Sequence, residues 1–176
     1  MKKNLLTYIL LVIAAITMAS CSDDPAPQYT YFKPCTNWQA TTADVRAYMA
    51  TAGGWTETLA QGNTMMFKNE GTQTAIIYAF HDGKLSAAVV TVSGFNTHYG
   101  DYKASIADNY GIEFKSSTML DYGINPKIMT AVLMHRFSTY MTAAYIDINF
   151  LQLLEIDPAD IATIQALIEK IKAGLL

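Results

Sequence analysis

The sequence predicts an α+β fold built from two tandem units, each a helix followed by three or four antiparallel strands, and a C-terminal helix. The helices are expected on one face of a shared sheet. Two observations lead to this prediction. Apolar residues recur at helical spacing before short apolar runs that are typical of strands, and this helix-then-hairpin pattern occurs twice, 56 or 57 residues apart.

The first unit begins with an amphipathic helix. Thr41 and Thr42 are N-cap candidates, and Gly53-Gly54 ends the run. The apolar residues of this helix are Val45, Tyr48, Met49 and Ala52. Four strand-like segments follow, at 55–59, 63–68, 72–80 and 84–93. The Asp82-Gly83 pair between the last two segments predicts a tight hairpin, because both central residues of such a turn take positive φ.

The second unit is predicted by alignment with the first. Ala75–Ser93 matches Ala131–Asn149 at a shift of 56 residues, while a shift of 57 brings the first helix onto a segment around Tyr102 and Ile106. The second hairpin turns at Ser138-Thr139. A chance resemblance is the alternative to a duplication, because all strands favour the same residue types.

A C-terminal helix is predicted from Asp157, the N-cap candidate, past Pro158 to Gly174. Its apolar stripe is Ile161, Ile164, Ile168 and Ile171.

The N-terminus has the pattern of a secretory signal: Lys2 and Lys3, then the apolar run 5–18, then the small residues Ala19 and Ser20. The apolar run is shorter than the roughly 20 residues of a spanning helix, and acids and prolines follow it, so a retained anchor is the weaker interpretation. Cleavage after residue 20 leaves 156 of the 176 residues. It also leaves 10 of the 12 basic residues against 15 acidic ones, a net charge of −5.

The run Met18-Ala19-Ser20-Cys21 resembles the lipobox of bacterial lipoproteins. The resemblance implies cleavage before Cys21, acylation of its thiol by chains such as palmitate, and attachment to the outer membrane. An ordinary cleaved signal and a buried cysteine are the alternatives. Ser22-Asp23-Asp24 resembles the acidic signal that sends many Bacteroidetes lipoproteins to the cell surface, which implies a surface-facing protein. A protein that faces the periplasm is the alternative.

Residues 36–149 carry a second resemblance. Asn37-Trp38 and the Val45–Met49 helix are similar to segments of uncharacterised Bacteroidetes cell-envelope lipoproteins, and the two tandem units resemble the beta-lactamase-inhibitor-protein-like architecture. The expected organisation is a signal peptide (1–20), a lipidated tether (21–35), a first α/β repeat (36–95), a second α/β repeat (96–150) and the C-terminal helix (151–176).

Alternation along the hairpins divides their side chains between two faces of the sheet. The face with small aliphatic residues is expected to pack under the helices. The other face is expected to be open, and an open apolar patch usually marks a contact surface. Its candidate binding residues are Tyr78, Phe80, Met134, Arg136, Tyr145 and Asp147. Cover of this face by the C-terminal helix is the alternative.

No catalytic residue, metal site or cofactor is predicted. His81, His98 and His135 have no companions at metal-ligand spacing, and Cys35 lacks the sequence signature of a thiol nucleophile. The chain has no basic run, which excludes nucleic acid as an expected partner. The predicted function is a non-enzymatic binding or scaffolding lipoprotein whose partner is an envelope protein or small ligand. A hydrolase acting on envelope glycan or peptide is the alternative.

Overall fold

The computed structural model describes residues 31–93, 98–116, 120–153, 155 and 157. The elements in chain order are α1 (Thr42–Ala52), β1 (Thr56–Gln61), β2 (Thr64–Asn69), β3 (Thr74–His81), β4 (Lys84–Ser93), α2 (Tyr99–Tyr110), β5 (Lys115–Ser116), β6 (Leu120–Asn125), β7 (Thr130–Arg136), β8 (Tyr140–Asp147) and α3 (Ile148–Leu153). Short 3-10 turns at Glu70–Thr72 and Pro126–Ile128 precede β3 and β7.

The eight strands form one antiparallel sheet in the order β1-β2-β3-β4-β8-β7-β6-β5. The first four strands meet the last four where β4 pairs with β8. β1 lies at one edge and the two-residue β5 at the other. The predicted α+β class is therefore confirmed, with an open antiparallel sheet.

Helix α1 begins and ends where the sequence predicts. The Thr41 side chain accepts a hydrogen bond from the Asp44 backbone N–H, and the Asp44 carboxylate accepts one from the Thr41 N–H at 2.8 Å, so the two residues form a capping box. At the other end Gly53 has φ 66°, a conformation that favours glycine. Local capping signals alone therefore fix both ends of α1.

The β3–β4 hairpin has the predicted turn, with φ of 49° at Asp82 and 75° at Gly83. A β-bulge interrupts β4 beyond that turn. Phe80 lies opposite Leu85, whereas Ala79 lies opposite Ala87, so one extra residue, Ser86, stands in β4. Strict alternation places Ala87, Val89 and Thr91 on the same face as Tyr78, and the bulge makes this expectation wrong beyond Leu85. The residues that the bulge brings to the Tyr78 face are Ala88, Val90 and Val92.

Helices α1 and α2 share one hydrophobic core with one face of the sheet. Val45 and Met49 of α1 and Tyr102, Ile106 and Tyr110 of α2 are buried in it. The strand residues of this core are Met65, Phe67, Ile76, Tyr78, Phe80, Leu85, Ala88, Val90, Val92, Val132, Met134, Met141, Ala143 and Tyr145.

Helix α3 packs against the opposite face of the sheet. Its Ile148 and Leu151 join a second cluster with Leu120, Tyr122, Ala131 and Leu133. Ala131 and Leu133 alternate with Val132 and Met134 of the first core, which places the two clusters on opposite sides of β7. α3 begins before residue 151, the expected start of the last segment. The helix predicted beyond Asp157 lies outside the described residues.

Within the described ranges, no helix combines the length and apolar character needed to cross a membrane.

Candidate functional site

Four of the six predicted binding residues are buried. Tyr78, Met134 and Tyr145 are 0% exposed and Phe80 is 4% exposed, all in the core beneath α1 and α2. The prediction that this face is open is wrong. Large aromatic and methionine side chains fill the space between the helices and the sheet, a volume that small aliphatic residues would leave empty. A partner cannot reach these four side chains in the folded protein.

The two charged candidates lie apart from one another. Arg136 is exposed, and its guanidinium stands 5.6 Å from the centre of the Tyr99 ring. Asp147 is half-buried and accepts a hydrogen bond from the Asn149 backbone N–H at 3.0 Å, close to the start of α3. Burial raises the pKa of Asp147. The six predicted residues therefore do not form one exposed surface.

Residues 31–40 form an N-terminal strap on the side of the sheet that carries α1 and α2. The Tyr31 ring packs edge-on against Tyr102 of α2, 5.0 Å between centres. The carbonyl of Lys33 accepts a hydrogen bond from the Tyr48 hydroxyl of α1 at 2.6 Å, and the Lys33 ammonium stands over the Tyr110 ring of α2. The strap thus contacts both helices at once.

The strap also reaches the strands of both halves of the sheet. The Cys35 N–H donates to the Tyr78 hydroxyl in β3 at 3.1 Å, and the Trp38 indole N–H donates to the Thr130 hydroxyl in β7 at 3.2 Å. The Ala40 carbonyl accepts from the Leu85 N–H in β4 at 2.9 Å. Residues 31–35, assigned by sequence to the tether, therefore belong to the folded body.

We expect the Cys35 thiol to react slowly in the native protein. It is 8% exposed, and burial raises its pKa, so little reactive thiolate forms at neutral pH. Tyr78→Phe removes the hydroxyl that accepts from the Cys35 N–H and donates to the Met49 sulfur, so it should destabilise the fold by about 1 kcal/mol and speed thiol labelling. The rate of Cys35 labelling is measured with a chromogenic disulfide reagent. Cys21 is acylated or replaced by Ala, so that Cys35 is the thiol that reacts.

The matched control for that prediction is Tyr122→Phe. Tyr122 is also buried, but its hydroxyl makes no hydrogen bond within the part of the chain that the structure describes. Its removal should leave stability and the labelling rate unchanged. Equal labelling rates in the two variants would contradict the role assigned to the Tyr78 hydroxyl.

Among the described residues, the most enclosed carboxylate is that of Asp121 in β6, which is 10% exposed. It accepts hydrogen bonds from the Tyr99 hydroxyl at 2.6 Å and from the Lys103 ammonium at 2.6 Å, both on α2. The Ser116 hydroxyl of β5 also donates to it. The two donors on α2 attach that helix to the β5–β6 edge of the sheet.

Electrostatics agree with a structural role for Asp121. Burial alone would raise its pKa, but the hydrogen bonds from Lys103, Ser116 and Tyr99 outweigh that effect and hold the pKa below its usual value. Burial, reinforced by the Asp121 carboxylate, raises the pKa of Tyr99. The sequence alone does not single out Asp121, because its partners lie 5 to 22 residues away and form no motif.

Strand β1 forms an exposed edge of the sheet. All six β1 residues are exposed, and Leu59 keeps 38% of its surface in water. Glu57 is paired with Arg46 of α1 through two hydrogen bonds of 2.9 Å. A bulge between Glu57 and Leu59 is the one irregularity in the pairing of β1 with β2.

No group of three His, Cys, Asp or Glu side chains that could hold a metal ion occurs among the described residues. No protein-family model matches the chain, and neither the curated proteins nor the solved structures contain a significant match to it.

Proposed function

We propose that this protein is a non-enzymatic binding or scaffolding lipoprotein of the cell envelope, held at the outer membrane through acylated Cys21, and that it pairs with an extended segment of a partner protein along β1. The observation that carries the binding proposal is that all six residues of β1, at the edge of the sheet, are exposed. An edge strand presents unpaired N–H and C=O groups to which another strand can add.

The side chains of β1 are compatible with such a partner. Natural edges are often protected by lysine, proline or a bulge, and of these β1 has only the bulge between Glu57 and Leu59. Its one acid, Glu57, is neutralised by Arg46, so it adds no net repulsion against an approaching strand. Leu59 offers an apolar contact beside the backbone groups. The opposite edge, β5, has only two residues and offers far less backbone.

Photo-crosslinking in cells tests the binding surface. A benzophenone amino acid at Leu59 should give a discrete protein adduct, whereas the same group at Ile128 should not, although Ile128 is equally exposed at 43%. Thr58→Lys should reduce the Leu59 adduct without changing the circular dichroism, because a lysine on the edge disfavours strand addition. The same adduct at both positions, or none at Leu59, would overturn the proposal.

The lipid anchor is tested independently. Cys21→Ala should abolish incorporation of a fatty-acid analogue and release the protein from membranes, because several acyl chains are needed for firm attachment. Continued labelling would refute the lipoprotein assignment.

Replacing Asp23 and Asp24 by Ala tests the export signal, and whole-cell protease accessibility is the measurement. No contact among the described residues favours the hydrolase alternative.

We also infer that the two halves of the sheet arose by duplication. The support comes from two matching 3-10 turns. Asn69 Oδ1 accepts from the Thr72 N–H at 3.2 Å, and Asn125 Oδ1 accepts from the Lys127 N–H at 3.0 Å. Each turn then ends in a left-handed residue, with φ of 48° at Gln73 and 50° at Met129. Both pairs, Asn69 with Asn125 and Gln73 with Met129, are 56 residues apart, the shift found in the sequence.

The same two asparagines contact the glycines that follow α1 and α2. A Cβ on Gly54 would lie 3.0 Å from the Asn69 Nδ2 atom, and one on Gly111 would lie 3.2 Å from the Asn125 Nδ2 atom. Both glycines have positive φ. A helix end, a glycine and an asparagine before a 3-10 turn therefore recur together, which chance similarity between apolar strands does not explain.

We expect Asn125→Ala to destabilise the protein by about 1–3 kcal/mol. The Asn125 amide donates to the carbonyls of Tyr110 at 2.7 Å and Gly111 at 3.3 Å, which lack helical partners at the end of α2. Urea unfolding measures the loss. Asn109→Ala, an exposed change within α2, is the control and should be neutral or stabilising. An equal loss in both variants would contradict the role given to Asn125.

A further inference from the structure

We infer that the face of the sheet carrying α1 and α2 is turned toward the membrane, and that the face carrying α3 is turned away from it. This inference rests on the proposed lipid anchor at Cys21. It adds an orientation that the anchor alone does not give.

The first step is where the chain leaves the body. The earliest described residues, Tyr31 to Lys33, contact both helices. Tyr31 packs on Tyr102 of α2, while the Phe32 ring lies 4.5 Å from that of Trp55 and 6.3 Å from that of Tyr48 in α1. Because α1 and α2 share a core with one face of the sheet, the junction between residues 30 and 31 is on that side.

The second step is length. Only nine residues, 22–30, lie between Cys21 and Tyr31, and a chain of about ten residues spans at most about 35 Å when fully extended. A body of this size has a diameter of roughly 40 Å. The path around it from the helix side to the α3 side is therefore about 60 Å. Residues 21–30 cannot cover that path, so the α3 side cannot rest against the bilayer that holds Cys21.

The strap keeps this exit point fixed. Its hydrogen bonds to Tyr48, Tyr78 and Thr130 attach it to α1, β3 and β7. Shifting the exit to another face would break bonds to both halves of the sheet. With the helix layer next to the membrane, the sheet lies about parallel to the bilayer, and the β1 edge points along its surface.

Energy transfer in vesicles tests the orientation. The full lipidated chain is reconstituted into phosphatidylethanolamine–phosphatidylglycerol vesicles that carry an acceptor dye on the lipid headgroups. A donor dye is attached through Ala47→Cys on α1 or Gln152→Cys on α3, both exposed positions. The two dyes are separated by about 20 Å, because packed layers lie about 10 Å apart.

The expected result is at least twofold more efficient transfer from position 47 than from position 152. Equal transfer, or stronger transfer from position 152, would overturn the orientation while leaving the anchor intact. Failure of the protein to float with the vesicles would instead refute the anchor, and the orientation with it. Flotation of both labelled variants is therefore measured before the transfer.

Discussion

Gly123→Ala is expected to destabilise the protein by about 2–3 kcal/mol, or to prevent its folding. Gly123 lies in β6 opposite Val132 and is buried. A Cβ at this position would collide with Cγ2 of Ile112 and lie 2.9 Å from the Glu113 carbonyl oxygen. The isoleucine is β-branched and the carbonyl belongs to the backbone, so neither can move aside without shifting the segment after α2.

The matched control is Gly100→Ala in α2. Among the described residues outside the backbone of its own helix, none has an atom within 4 Å of a Cβ on Gly100, and alanine is favoured over glycine inside a helix. This variant should be neutral or more stable by up to about 1 kcal/mol. Urea unfolding of both variants at neutral pH gives the comparison. A loss at Gly100 as large as that at Gly123 would show that the close approach at Ile112 is not the cause.

Asp121→Asn is expected to lower the free energy of unfolding at pH 7 by about 1.5–3 kcal/mol, a range typical of hydrogen bonds to charged groups. The amide keeps one acceptor oxygen but loses the charge that binds the Lys103 ammonium, and its NH₂ group faces the three donors of the network. α2 should then be held less firmly to the β5–β6 edge.

The pH dependence of this effect follows from the direction of the pKa shift. The pKa of Asp121 is lower in the folded protein than in the unfolded chain, so the carboxylate stabilises the fold above the unfolded pKa of about 4. That stability is lost as the pH falls through the folded pKa. The difference between wild type and Asp121→Asn should therefore shrink between pH 7 and pH 3.

Urea titrations at several pH values measure this difference. The control is Glu57→Gln, which breaks the pair with Arg46 on the surface, where ion pairs contribute little. It should change stability only slightly at every pH. A difference between wild type and Asp121→Asn that stays constant down to pH 3 would contradict a charged Asp121 in the folded state.

Local signals were sufficient for part of the fold. The Thr41 cap, the Gly53 end of α1 and the Asp82-Gly83 turn each depend on residues close in sequence, and the structure has all three. The α+β class also follows from local periodicity, because helices and strands bury residues at different spacings. The predicted acylation of Cys21 and attachment to the outer membrane rest on sequence alone, since residues 1–30 are outside the described part of the chain.

Which face of the sheet packs against α1 and α2 depends on the tertiary structure alone. Alternation separates two sets of side chains but does not say which set meets the helices, and the bulge at Ser86 exchanges the sets partway along β4. The strap and the Asp121 network likewise join residues that are distant in sequence. The position of β1 at the edge of the sheet also depends on how distant strands pair. Their energies depend on volume, distance and donor geometry in the packed molecule, so the contacts between the elements, rather than the pattern of any one segment, determine them.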